Sequence, residues 1–188
     1  MIETTFTMST GEKIFIYDNV FNSKESYNIQ RVAEASFFRL GSKSSPSVNS
    51  KQTTFFQSYY SNDDINLLKL NTSINFISIV KKHRCEDMKV HAWVNATTHL
   101  TDYNFHIDED KLNSKTLLYY TNDTWSQEWG GETIFKNSNN EVEIAVSCKP
   151  NRVVLFDSAI SHKPTNLSIK SDLYRFIFVM QFKPNQES

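Results

Sequence analysis

From Met88 onward the chain is written as short apolar runs cut by polar turns, and this texture limits its possible folds more than any other feature. The runs are Val90–Val94, Thr116–Tyr120, Thr133–Phe135, Glu141–Ser147, Val153–Phe156 and Tyr174–Phe182. Most are too short to form a helix with a core-facing stripe, and all are long enough for a strand. Strands following one another this way, with turns between them, predict an antiparallel sandwich or jelly roll.

The first half reads differently. Lys13–Val20 alternates as a strand. Asn22 or Ser23 can cap a helix over 24–38, with Ile29, Val32, Ala33 and Phe37 on its apolar face and Gly41 as its stop. Gly41–Thr53 is Ser-rich, contains Pro46 and has no periodicity, so it is expected to be a mobile loop fit to cover a site. Thr54–Tyr60 is an aromatic strand, and Asn62 or Asp63 can cap a second helix over 64–83. No linker parts the two halves. The reading is one domain over 1–188, with a support region at 1–87 and a jelly-roll core at 88–183: a mainly β fold with flanking helices (α+β).

Composition supports one core. A chain of 188 residues is too short for two ordinary domains, and 13% aromatic residues compensate for an apolar fraction of only 39%. A net charge of -1 lacks the basic excess of a dedicated nucleic-acid binder. Cys85 and Cys148 are too few for a disulfide framework and are expected to be buried free thiols. The first eleven residues have no apolar signal-like stretch, and no run approaches the length of a membrane span. A soluble cytoplasmic protein is expected. His83 falls among Lys81, Lys82 and Arg84 and reads as part of a solvated basic helix end. Glu109 and Asp110 read as solvated turn residues.

The chemistry centres on Phe105-His106-Ile107-Asp108. On a strand, residues two apart face the same side, so His106 and Asp108 would point together. A third ligand must come from elsewhere, and His162 is the only later histidine. Two histidines and one carboxylate on one face suit a non-heme Fe(II) oxygenase, because the remaining positions stay open for a cosubstrate and O2. By itself the triplet is a weak signal, since most such triplets are chance surface pairs. Arg175, in the last strand, shares a face with Ile177 and Val179 if alternation holds. A buried guanidinium requires a partner, and a dicarboxylate supplies one. A structural salt bridge or an outward Arg175 is the alternative.

The order of motifs resembles the prolyl 4-hydroxylase branch of the 2-oxoglutarate oxygenases. The resemblance rests on Leu117-Leu118-Tyr119-Tyr120, Gly130-Gly131-Glu132-Thr133-Ile134-Phe135, Lys149-Pro150-Asn151-Arg152, Ser161-His162 and Tyr174-Arg175-Phe176. It implies a double-stranded β-helix in which His106, Asp108 and His162 bind Fe(II). Arg175 and Tyr120 would hold the distal carboxylate of 2-oxoglutarate, and Trp93 would stand where many relatives use Tyr to contact cosubstrate. Gly130 and Gly131 would supply positive φ or close packing. The carboxylate of Asp108 favours hydroxylation over halogenation.

The implied reaction consumes 2-oxoglutarate and O2, with ascorbate in support, and yields succinate, CO2 and a hydroxylated C–H position. The implied partner is a peptide or protein, with proline as the residue modified. Trp125, Trp129 and Tyr103 are the candidates for substrate contact, with Tyr59 and Tyr60, which follow the Ser-rich loop, as further exposed rings. Gln181, where alkylated-nucleic-acid demethylases carry a second Arg, argues against that substrate. A free amino acid or small metabolite, and a non-catalytic binding barrel, are the other readings.

Overall fold

The computed structural model describes residues 1–42, 55–61 and 70–185. In chain order the strands are β1 (Ile2–Thr7), β2 (Lys13–Asp18), β3 (Arg39–Ser42), β4 (Phe55–Tyr60), β5 (Lys89–Thr97), β6 (Lys115–Tyr120), β7 (Thr133–Lys136), β8 (Val142–Val146), β9 (Arg152–Asp157), β10 (His162–Pro164) and β11 (Arg175–Lys183). Among the described residues two α-helices, α1 (Ser23–Ala35) and α2 (Ile74–Lys82), precede β5. Eight strands form one antiparallel sheet in the order β1-β2-β9-β6-β11-β5-β4-β3, and three form a second, β10-β7-β8.

Period-two alternation divides the large sheet's residues between two cores. On β9, Val153 and Leu155 face α1 and α2, while Val154 and Phe156 face the small sheet. On β11, Phe178 and Met180 face the helices, and Ile177 and Val179 face inward. Both faces are covered, so the central strands read as nearly unbroken apolar runs. Phe156 is fully buried against Phe135 of the small sheet, with ring centroids 4.9 Å apart. Each such side chain contributes roughly 2–3 kcal/mol of burial. The result is a double-stranded β-helix with helices packed on one face.

Several expectations need correction. Helix α1 stops at Ala35 rather than near Phe38, because Ser36 is extended and its hydroxyl donates to Val32 O at 2.7 Å. Ile29 and Ala33 are buried as expected, but Phe37 is 84% exposed and lies outside the helix. Its start agrees with the sequence: Asn22 and Glu25 form a reciprocal capping box, worth about 1 kcal/mol. Gly41 and Ser42 belong to β3; the rest of the proposed loop and the first residues of the second helix lie outside the described residues. Described helix in that region begins at Ile74, after a 3-10 turn at Leu70–Thr72.

His83 is not part of a solvated cap. Its Nε2 lies 2.7 Å from Tyr17 Oη, and its ring meets Phe15 edge-on. Burial pushes the Tyr17 phenol up to about 12, so it stays protonated and donates to a neutral imidazole. Glu109 is ion-paired with Lys183 at 2.7 Å rather than simply solvated. Cys85 and Cys148 are buried and free, as expected. Burial pushes both thiols up to about 11. Among the described residues no helix is long and apolar enough to cross a membrane.

Candidate active site

His106 does not lie in a strand ladder. It makes a single antiparallel bridge to His162, each backbone N–H donating to the other's carbonyl at 3.1 and 2.9 Å. This bridge extends the small sheet by one residue and sets the two imidazoles side by side, with centroids 4.6 Å apart. Asp108 is placed by its own N–H, which donates to Ser158 O at 2.9 Å. The sequence thus brings its two distant stretches together through backbone pairing at the metal loop itself.

The side chains converge. Asp108 Oδ1 lies 3.7 Å from His106 Nε2, and Asp108 Oδ2 lies 3.5 Å from His162 Nε2. All three ligand atoms fall within 4.8 Å of one another. Each imidazole is fixed by its far nitrogen: His106 Nδ1 sits 3.1 Å from Asn104 O, and His162 Nδ1 sits 3.0 Å from Ile160 O. A carbonyl only accepts, so each Nδ1 carries a proton and each Nε2 is the ring atom that faces Asp108. Burial, then the neighbouring His162, holds the His106 pKa below its ordinary value, which favours the neutral, ligating form. Thr116 Oγ1 donates to Asp108 Oδ2 at 2.8 Å and accepts from Ser158 Oγ at 2.9 Å. Phe135 and Phe156 pack against the His162 ring.

These residues open into a cavity of about 340 Å³ between the two sheets. Arg175 enters it from β11 and is only 4% exposed. Its Nη2 donates to Thr133 Oγ1 at 3.2 Å, and its guanidinium stacks over the Tyr120 ring at 5.3 Å. Arg175 Nε is buried with no hydrogen-bond partner, and among the described residues no carboxylate pairs with the charge. Trp93 Nε1, on the same cavity wall, is likewise buried and unpartnered. The chain therefore fits the groups implied: two imidazoles and a carboxylate for a divalent ion, and a guanidinium with no carboxylate partner for a diacid.

The remaining candidates separate. Tyr103 lines the cavity and is 6% exposed, with burial pushing its phenol up to about 12. Tyr120 is fully buried beneath the wall, and its hydroxyl pairs with Thr133 Oγ1 at 2.8 Å. Thr133, not Tyr120, is the residue that reaches the cavity surface. Trp125 and Trp129 are outside the cavity: they pack edge to face at 5.3 Å, and Trp125 Nε1 donates to Gly130 O. Gly130 and Gly131 have φ of 72° and 82°. A Cβ at Gly131 would stand 3.0 Å from Arg175 Cδ and 2.9 Å from Leu167 Cδ2, so this glycine makes room for the anchor.

Sequence reasoning passed over Asn95, Gln57 and the hydroxyl of Thr133. Asn95 was within reach, since it lies two residues from Trp93 on β5 and must share its face.

Residues 92–182 match the model of the 2OG-Fe(II) oxygenase superfamily. No curated protein matches the sequence. Among solved structures, a prolyl-4-hydroxylase from Pseudomonas putida is similar at 12% identity, covering 93% of this chain and 94% of that one, with a TM-score of 0.65. A prolyl hydroxylase from Trichoplax adhaerens, in complex with a hypoxia inducible factor oxygen degradation domain peptide fragment, shares 17% identity over 90% of this chain and 83% of its own, with a TM-score of 0.67. The non-heme alpha ketoglutarate dependent carbocyclase SnoK from nogalamycin biosynthesis shares 11% identity over 92% and 80%, with a TM-score of 0.65. At these identities the likeness speaks to the fold. Taken with the match over residues 92–182, it supports a kinship of this chain with the 2OG-Fe(II) oxygenase superfamily.

Proposed function

We propose that the protein is an Fe(II)- and 2-oxoglutarate-dependent dioxygenase that hydroxylates a C–H bond of a peptidyl proline. The observation that carries the reading is the pairing, across one cavity, of the His106–Asp108–His162 triangle with a buried, carboxylate-free Arg175. When bound, ferrous iron with 2-oxoglutarate and O2 supplies the oxidising chemistry: one oxygen atom goes into the C–H bond and one into succinate, with release of CO2. His106 and His162 would present Nε2 atoms to the ion, and Asp108 a carboxylate oxygen. Arg175 receives the distal carboxylate and fixes the cosubstrate's direction. Thr133, held by Tyr120, supports the guanidinium. Phe135 and Phe156 keep water from the back of His162.

The peptide reading draws on two supports: the motif order, and the peptide held by the Trichoplax adhaerens relative. Trp125 and Trp129 do not line the cavity, so the peptide reading does not rest on them. A small-metabolite substrate is the second reading, favoured by the carbocyclase that shares the fold. The test is Fe(II)-dependent release of succinate, followed by mass spectrometry of a proline-containing peptide library. The reading expects succinate release and peptides heavier by one oxygen atom on proline. Succinate without any modified peptide would remove the peptide substrate and leave the oxygenase.

A further inference from the structure

The cosubstrate anchor, on the large sheet, and the metal ligands, beside the small sheet, line the same cavity. Arg175 stands at the start of β11, and Gln181, six residues on, donates from Nε2 to Asp108 O at 3.2 Å. A diacid running from Arg175 to the triad follows β11. Strands β5 and β4 lie beside that line, paired in the order β11-β5-β4. Neighbouring strands are about 5 Å apart, so β5 and β4 floor a space roughly 5–10 Å to one side.

That floor is polar without being charged. His91, Trp93 and Asn95 project from β5, and Phe55, Gln57 and Tyr59 from β4, with burial holding the His91 pKa below its ordinary value. Gln57 Nε2 donates to Asn95 Oδ1 at 3.1 Å, so the Asn95 amide nitrogen is the group left to donate to a ligand. Trp93 Nε1 is a second donor with no acceptor. An indole N–H buried without a partner forfeits a hydrogen bond, so its place in a cavity wall points to a ligand oxygen. Tyr59 is 72% exposed, and its ring centroid lies 6.3 Å from that of Trp93, extending the flat surface to the rim. Apart from the imidazoles, the charged side chains among the described cavity residues are Asp108 and Arg175, both already engaged.

We propose that Trp93 Nε1 and the Asn95 amide form a substrate subsite that receives a backbone carbonyl oxygen, so that the residue entering the cavity is one whose own carboxylate is masked in peptide linkage. The inference rests on the oxygenase reading above and narrows its substrate class. A free amino acid would bring a carboxylate and an ammonium onto a floor with no counter-charge. The same two donors also suit a carboxylate oxygen of 2-oxoglutarate, and the two sources are separable by experiment.

The experiment measures equilibrium binding, with Mn(II) in place of iron and no O2. Calorimetry gives the affinities of 2-oxoglutarate, of capped proline-containing peptides and of free L-proline. Emission from a Trp125→Phe/Trp129→Phe protein, in which Trp93 is the one remaining tryptophan, gives a local signal. We expect a capped peptide to change Trp93 emission saturably and free L-proline to leave it unchanged. Trp93→Phe, which keeps a ring and removes the donor, is expected to weaken that peptide about tenfold and to leave 2-oxoglutarate within about twofold. Asn95→Leu is a second variant with the same expected split. Weakened 2-oxoglutarate with unchanged peptide would overturn the proposal by giving the donors to cosubstrate. Equal peptide binding by wild type and both variants would overturn it while leaving the peptide reading intact. Intact 2-oxoglutarate binding with no peptide bound by wild type would remove the peptide reading and this subsite with it.

Discussion

Arg175 carries a charge that the protein alone does not neutralise. Its partners are a hydroxyl, an aromatic face and the space where a diacid would sit. A buried charge without a counter-ion destabilises a fold, and exchange for an apolar side chain of similar length often stabilises by about 1–4 kcal/mol. Arg175→Met is therefore expected to raise the melting temperature of the ligand-free protein while abolishing the further rise that 2-oxoglutarate gives the wild type. Thermal melts with and without the diacid check both halves; a variant less stable than wild type in both conditions would show that the guanidinium is structural. Gly131 is coupled to the same residue. Gly131→Ala must hold φ near 82° and press a methyl against Arg175 Cδ. A left-handed Ala costs about 1–2 kcal/mol, and the displaced guanidinium should cost at least tenfold in 2-oxoglutarate affinity by calorimetry. Loss of stability with unchanged affinity would contradict the proposed spacing role.

At the scale of elements, the contact between α2 and β2 runs through His83 and Tyr17. Burial, then the nearby Lys115 and Lys82, holds His83 below its ordinary pKa of 6.5. The folded state thus binds fewer protons than the unfolded state near that value, and stability rises with pH there. The stabilisation is present above pH 6.5 and is lost as pH falls through the lower folded value. The stability gap between wild type and His83→Gln is expected to shrink from pH 8 to pH 5 in urea melts; a constant gap would deny His83 this role. The elements also show what the sequence made legible. β5, β6, β9 and β11 were readable as short apolar runs between polar turns, because the sheet is covered on both faces. β1 was not, since all six of its residues are exposed and no burial pattern marks it. The end of α1 was missed because a single hydroxyl, Ser36 on Val32 O, closes the helix where propensity would continue it.

Across the whole molecule, two cores share the same strands. Leu155 belongs to the helix-side core and Phe156 to the inter-sheet core, one residue apart on β9. Neither core can be lost without removing the strand that serves the other, so heat is expected to unfold the protein in one transition. Leu155→Ala and Phe156→Ala should each destabilise by about 2–5 kcal/mol, with near- and far-ultraviolet circular dichroism melting together; separated transitions would argue for two units. The site follows the same logic. His106, Asp108, His162 and Arg175 were legible because their chemistry has few uses in an apolar barrel. Trp125 and Trp129 misled because aromatic residues serve cores and ligands alike, and Tyr120 because its hydroxyl is satisfied by Thr133, a contact that only the folded chain reveals. The central claim is that one cavity holds a ferrous ion and a diacid together. Anaerobic titration of the protein with Fe(II) and 2-oxoglutarate tests it most directly. The account predicts a weak visible charge-transfer band that saturates at one equivalent of each and disappears in His162→Ala and in Arg175→Met at the same diacid concentration. No band in the wild type, or an equal band in both variants, would contradict it.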